Sequence, residues 1–247
     1  MRHGETVWNT EGRLQGRTNV ELSEFGREMA DSCADGMKDI PIDLCISSPL
    51  IRARETAERI LEKNREYRSR SEEVFRNLTA AGVPMSESFL PVFSGRTSGL
   101  RYLTDERLIE AAFGPWEGLP FRGGPGVATV ADFGCYWTDP ESDLIPEGVE
   151  RLPAVTQRVE NSLKDLVNCP VLKGKNVLLV VHGVVIRSFN YLLNGRKEYT
   201  ASVTRNCEVI RTHIGPDGQL VSDGREIYYD KSMLHDNYFG ALAKGTK

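Results

Sequence analysis

The stretch Asn176 to Gly195, "NVLLVVHGVVIRSFNYLLNG", confines this chain more than any other. Val177 to Val181 are continuously apolar and stop at His182-Gly183, and the segment that follows stops at Asn194-Gly195. An unbroken apolar run of that length suits a strand buried on both faces of a parallel sheet. Asn-Gly is a helix stop. A second strand–helix unit is written in "DLCISSPLIRARETAERIL". There a strand-like Ile42 to Ile46 leads to Ser48 as predicted N-cap and Pro49 at the first helical position, and Leu50, Ala53, Ala57, Ile60 and Leu61 share one helical face. Repeated strand–helix units imply an α/β layered sheet.

Further helices are predicted over about Ser23 to Lys38, with Leu22, Phe25, Met29, Cys33 and Met37 on one stripe, and over about Leu152 to Asn168, with Leu152, Val155, Val159, Leu163 and Leu166 on another. From Val203 the pattern turns to short strands, "VTRNCEVIRTHI", "QLVS" and "REIYY", with a Pro216-Asp217-Gly218 turn. The resulting expectation is a three-layer α/β/α fold with a mostly parallel sheet, the tail hairpin antiparallel at an edge. Residues 1–247 read as a single domain with two interruptions. One is a long connection at about 62–104, charge-dense and helical up to Leu78, then rich in Gly, Ser and Pro, a lid or surface decoration. The other is an irregular excursion at about 119–148, whose Gly123-Gly124-Pro125-Gly126 lacks the Gly-Lys-Ser/Thr of a phosphate loop.

Charge excludes several classes of partner. Thirty-one Lys and Arg against thirty-five Asp and Glu leave a formal charge of −4, so nothing draws the whole surface to nucleic acid or to an anionic membrane. Any bound anion must be met by a local cluster. Cys33, Cys45, Cys135, Cys169 and Cys207 are widely spaced with no Cys-x-x-Cys pair, which suggests reduced thiols and a cytoplasmic location rather than disulfides or a zinc site. No apolar run approaches a membrane span.

Ligands of parallel α/β sheets sit at the carboxyl ends of the strands. Arg52, just after one strand, and His182, at the end of another, belong at that edge. If Arg2 and His3 of the opening "MRHGETVWNT" reach it too, two guanidiniums, two imidazoles and a helix N-terminus converge as a phosphate site.

The motifs "RHGETVWN" with "RLQG", "SSPLIRARETA", "LIEAAFGPWEG" and "VVHGVVIR", in that order from residue 2 to residue 187, resemble the histidine phosphatase superfamily, the phosphoglycerate mutase-like family. A weaker echo is "EGVERL" near Glu150. The resemblance implies that His3 is the nucleophile forming a phosphohistidine, that Arg2, Arg52 and His182 hold the phosphoryl oxygens, and that Asn9 donates a further hydrogen bond. It implies Glu110, in preference to Glu117, as the acid that protonates the leaving alkoxide and then deprotonates water. Gly4, Gln15, Gly16 and Gly183 complete the implied substrate-binding set. Glu5 and Glu150 are expected to support the site from behind, His213 and His235 to be structural or exposed, and Trp8, Phe113 and Trp116 to pack around the motifs.

The implied function is hydrolysis of a small phosphomonoester, a sugar phosphate or the nucleotide-loop phosphate of cobalamin synthesis, without metal or cofactor, by a monomer or homodimer. The mutases carry adjacent arginines soon after the acid motif. Here only Arg122 and then Arg151 follow Glu117, which lowers the mutase alternative. A second alternative is an inactive phosphate-binding module. In the family a short apolar strand runs into Arg-His-Gly, so the first strand reads as missing, and Met1 is expected to be internal to a chain with roughly five to ten more residues in front.

Overall fold

The computed structural model describes residues 1–81, 89–93 (backbone only), 100–121, 133–196, 199, 204–215 and 220–234. Arg122, Gly123 to Gly126, the Pro216-Asp217-Gly218 turn and His235 lie outside these residues. In chain order the elements are α1 (Val7–Thr10), α2 (Glu24–Gly36), β1 (Leu44–Ser47), α3 (Ile51–Lys63), α4 (Tyr67–Ala80), β2 (Phe89–Phe93), β3 (Arg101–Asp105), α5 (Cys135–Thr138), α6 (Leu152–Val167), β4 (Val177–Val180), α7 (Gly183–Leu193), β5 (Glu208–Ile214) and β6 (Leu220–Ile227).

The main sheet runs β2-β3-β1-β4. β1 is parallel to both β3 and β4, and β2 is the antiparallel edge. Side chains alternate between two cores, as the two-residue period of a strand requires. Leu44 and Ile46 of β1 join Leu103 and helices α4, α6 and α7 on one side. Cys45, Tyr102, Leu178 and Val180 join α2 and α3 on the other. The predicted apolar stripes are the buried faces: Ala53, Ala57, Ile60 and Leu61 of α3 are fully enclosed, with Ile60 and Leu61 each contributing about 1.5–3 kcal/mol.

Four expectations change. α3 begins at Ile51 with Leu50 as its N-cap and no side-chain cap bond, so Ser48 is not the cap. The 62–104 stretch is not mere decoration. α4 buries Val74, Phe75 and Leu78 in the core, and Arg101–Asp105 is an inner strand. Leu220 to Ile227, drawn from the predicted "QLVS" and "REIYY" strands, form the single strand β6, which passes Gly224 at φ +117°. The tail hairpin forms its own two-stranded sheet rather than an edge of the main one. Arg211, Thr212 and His213 of β5 are exposed, so only the start of that strand has an apolar reason to touch the core.

Met1 to His3 lie beside β4 in the parallel sense, on the side away from β1. Val181 N–H donates to Met1 O (2.9 Å) and His3 N–H to Val181 O (3.0 Å). On the other flank, Arg2 N–H donates to Glu208 O (3.1 Å) and Cys207 N–H to Arg2 O (3.1 Å). The start of the hairpin thus clamps the segment against the sheet.

Behind His3, α2 approaches the following loop so closely that a Cβ on Gly26 would overlap the Glu5 carbonyl. Both partners there are backbone and neither can swing away. Gly26→Ala is expected to destabilise the protein by about 3 kcal/mol, read as a lowered urea midpoint at unchanged slope; a midpoint within error of wild type would show that α2 can shift freely.

Candidate active site

The carboxyl edge of the sheet gathers the predicted residues. Arg2 and His3 continue the strand-like segment beside β4, His182 is the N-cap of α7 directly after β4, and Arg52 sits in the first turn of α3 after β1. All four are buried, as is Glu110. The His3 and His182 rings are 5.1 Å apart between centroids.

His3 Nδ1 lies 2.6 Å from its neighbour's carbonyl, Gly4 O. A carbonyl only accepts, so Nδ1 carries the hydrogen and Nε2 keeps its lone pair. Burial, with the Arg52 and Arg2 charges next to it, holds His3 well below the usual histidine range, so the ring is neutral. His182 is held neutral in the same way, by burial first and then by Arg52 and His3. Its Nε2 is 2.6 Å from Ser48 Oγ.

Arg52 is anchored from behind, donating through Nη1 to Thr18 O (2.9 Å) and through Nη2 to Gly16 O (2.8 Å). Burial lowers it to about 10, with Glu110 pulling the other way. Arg2 donates to Thr204 O (2.6 Å).

Glu110 accepts from Ala111 N–H (3.0 Å) and, at the α7 N-terminus, from Val184 N–H (3.3 Å). Burial nevertheless raises its pKa, outweighing those bonds and the Arg52 charge. Glu117 goes the opposite way. Burial pushes it up, but bonds from Thr18, Arg17 and Phe113 outweigh that and keep it ionised. Of the two candidates, only Glu110 has its pKa shifted upward.

Gln15 accepts from the Thr6 hydroxyl (2.8 Å), and Asn9 Oδ1 accepts from Thr6 N–H (3.1 Å). Gly4 N–H donates to Thr56 Oγ1 (2.9 Å), and Gly183 begins α7 beside Glu110. Glu5 accepts from the Ser23 hydroxyl (3.1 Å). Glu150 pairs with Arg17 (3.1 Å) and Arg158 (2.8 Å), and Arg158 also grips the Arg107 and Ile109 carbonyls, fixing the loop that carries Glu110. His213 is exposed and bonded to Asp223 (2.7 Å). Phe113 and Trp116 pack with Phe133 and Tyr136, while the ring of Trp8 lies against Gly118.

Several participants were not singled out from sequence. Asn206 Nδ2 donates to His3 O (2.9 Å), and Thr204 holds Arg2. These tail residues lie about two hundred positions from their partners and carry no local signal. Arg187, quoted only as part of a motif, lies over the Trp137 ring at 3.8 Å; burial, and then the Arg2 charge, lower it to about 10. Ser48, expected from sequence only as a helix cap, follows the carboxyl end of β1, and that position is the sign of its part in the site. Among the described residues no group of three or more His, Cys, Asp or Glu is placed to hold a metal ion, and no helix is long and apolar enough to cross a membrane.

Guanidiniums gathered around two neutral imidazoles, facing one carboxyl of raised pKa, leave a surplus of positive charge that suits a small oxyanion. The fold and the edge thus define an α/β protein with guanidiniums and imidazoles clustered at the carboxyl ends of its strands. The chain belongs to the histidine phosphatase superfamily (branch 1), whose family model matches residues 1–79 and 93–223. It is 29% identical to phosphoglycerate mutase-like protein 4 of Arabidopsis thaliana over 76% of this chain and 66% of that protein, just under two thirds of its length. It is 40% identical to 2,3-bisphosphoglycerate-dependent phosphoglycerate mutase 2 of Gloeobacter violaceus, over 76% of this chain and 71% of that one. Its fold is similar to that of a mycobacterial glucosyl-3-phosphoglycerate phosphatase solved with VO3 (TM-score 0.64, 26% identity, 90% of this chain and 94% of that chain).

Neutral buried histidines make stability depend on pH. The unfolded chain protonates them near pH 6.5, whereas the folded chain does so only well below, so the unfolded state binds more protons as pH falls and stability is lost downward from about pH 6.5. Each such group steepens the loss by up to about 1.4 kcal/mol per pH unit. His182→Gln is expected to flatten the fall in urea stability below pH 6.5 by one such increment; parallel profiles would mean that His182 is protonated in the fold.

Proposed function

We propose that the chain is a phosphatase that hydrolyses a small phosphomonoester through a phosphohistidine, without a metal ion. The observation that carries this is the His3 ring, whose Nδ1–H is occupied by Gly4 O and whose Nε2 lone pair is left for attack on phosphorus. As the Nε2–P bond forms and the P–O bond to the leaving group breaks, Glu110 gives its proton to the departing alkoxide. Water then attacks phosphorus, the Glu110 carboxylate takes its proton, the N–P bond breaks and inorganic phosphate leaves. Arg2, Arg52 and His182 hold the equatorial oxygens with charge and N–H donors fixed in advance, and Asn9 adds its amide.

The mycobacterial relative named for a phosphorylated sugar acid supports a sugar phosphate or similar small molecule as substrate. Five free thiols fit a reducing, cytoplasmic setting. Mutase-type transfer to a second acceptor is the alternative, favoured by the 40% identity to the Gloeobacter protein named as a mutase.

Brief mixing with a 32P-labelled phosphomonoester is expected to label wild type on histidine, stable to alkali and lost in acid, and to leave His3→Ala unlabelled. Label retained by His3→Ala, or no label with any donor, would sink the phosphohistidine. Because burial raises the Glu110 pKa from its ordinary value, kcat for alkyl phosphates is expected to fall as pH rises through the shifted pKa. Glu110→Gln should remove this limb and lower kcat by about 10²–10⁴-fold, with a smaller loss for p-nitrophenyl phosphate, whose leaving group needs no proton. An equal loss for both substrates would assign the proton to another group.

A further inference from the structure

The two ring nitrogens of His182 are in different situations. Nε2 lies 2.6 Å from Ser48 Oγ, whereas Nδ1 is buried with no hydrogen-bond partner among the described residues. A neutral imidazole carries one N–H, so two arrangements have to be weighed. Ser48 Oγ already accepts from Leu50 N–H (3.3 Å), and the Ser47 hydroxyl beside it is spent on Ser48's own carbonyl (2.8 Å). If Nε2 bore the hydrogen it would donate to Ser48, the serine proton would have no acceptor among the described residues, and Nδ1 would turn a lone pair toward any incoming oxyanion. If Ser48 donates to Nε2, the serine proton has its acceptor and Nδ1 bears a hydrogen.

We propose that Ser48 is a positioning residue that fixes the tautomer of His182: its hydroxyl donates to Nε2, the ring hydrogen sits on Nδ1, and Nδ1–H donates to an equatorial oxygen of the phosphoryl group. This rests on the phosphatase reading of the site and deepens it, because it makes His182 a neutral donor with one usable nitrogen. It also explains a buried nitrogen without a partner: its partner is the oxyanion. Burial beside Arg52 and His3, which disfavours the imidazolium, is consistent with a neutral donor. A serine used only to shape the start of α3 would need no preference between the two tautomers.

Long-range 1H–15N correlation spectra of the full chain labelled with [15N]histidine read the tautomer directly, with its four histidines assigned from single His→Gln variants. Wild type is expected to show His182 Nδ1 protonated and Nε2 bare; the reverse pattern overturns the proposal. Inorganic phosphate should shift the Nδ1–H resonance more than Nε2, and an indifferent Nδ1 overturns the donor role. Ser48→Ala should give a mixture of tautomers and lose about 10–100-fold in kcat, with KM changing less, while Ser48→Thr restores both; an unmixed spectrum in Ser48→Ala shows that another group sets the ring. Should Ser48→Ala fail to fold, the wild-type and Ser48→Thr spectra decide. The tautomer is read without turnover, so failed phosphoenzyme trapping counts against the phosphatase reading and leaves the serine–histidine assignment measured separately.

Discussion

Burying the Arg52 guanidinium is the constraint around which the site is arranged. A fully enclosed cation must find acceptors or lose heavily in desolvation. Two come from carbonyls of Gly16 and Thr18, residues far away in sequence. Those carbonyls point inward because the Glu117 carboxylate collects Arg17 N–H, Thr18 N–H and the Thr18 hydroxyl from the other side of the same loop. Gly16 has no Cβ where that carboxylate lies, and any larger residue would collide with it. One buried charge thereby explains an ionised glutamate, a glycine and the path of a loop.

The same enclosure sorts the remaining titratable groups. Low dielectric and two guanidiniums keep His3 and His182 uncharged, while burial lifts Glu110 against the hydrogen bonds that pull it down. One physical cause thus acts on imidazole and carboxyl in opposite directions. Glu117, only a few residues from Glu110 and of identical chemistry, is set apart by lying less deeply buried and by accepting from the Thr18 hydroxyl and the N–H groups of Arg17, Thr18 and Phe113.

Much of this is legible in the sequence. The apolar runs ending in Ser-Ser-Pro and His-Gly marked two parallel strands and their carboxyl edge, and the helical stripes of α2, α3 and α6 are the faces found buried. Reading failed where a segment's fate depends on remote partners. Tyr67 to Ala80 looks like a solvated charged helix, yet the sheet gives Val74, Phe75 and Leu78 a place to go. Ser48 carries a strong local cap signal, but its hydroxyl pairs with His182 across the strands and α3 starts two residues later than Pro49, at Ile51.

The sequence by itself determined the layered α/β class and the identity of the charged residues at the edge, because strand burial and helix periodicity are written locally. Tertiary structure alone decided how those residues are held. The clamp of Thr204, Asn206, Cys207 and Glu208 on Arg2 and His3 joins residues about two hundred positions apart, and on at least one side of every bond the partner is a main-chain N–H or carbonyl that any residue possesses. Main-chain groups leave no mark in residue type, and the raised pKa of Glu110 and the lowered pKa values of the two histidines follow from enclosure, which exists only once the chain has folded.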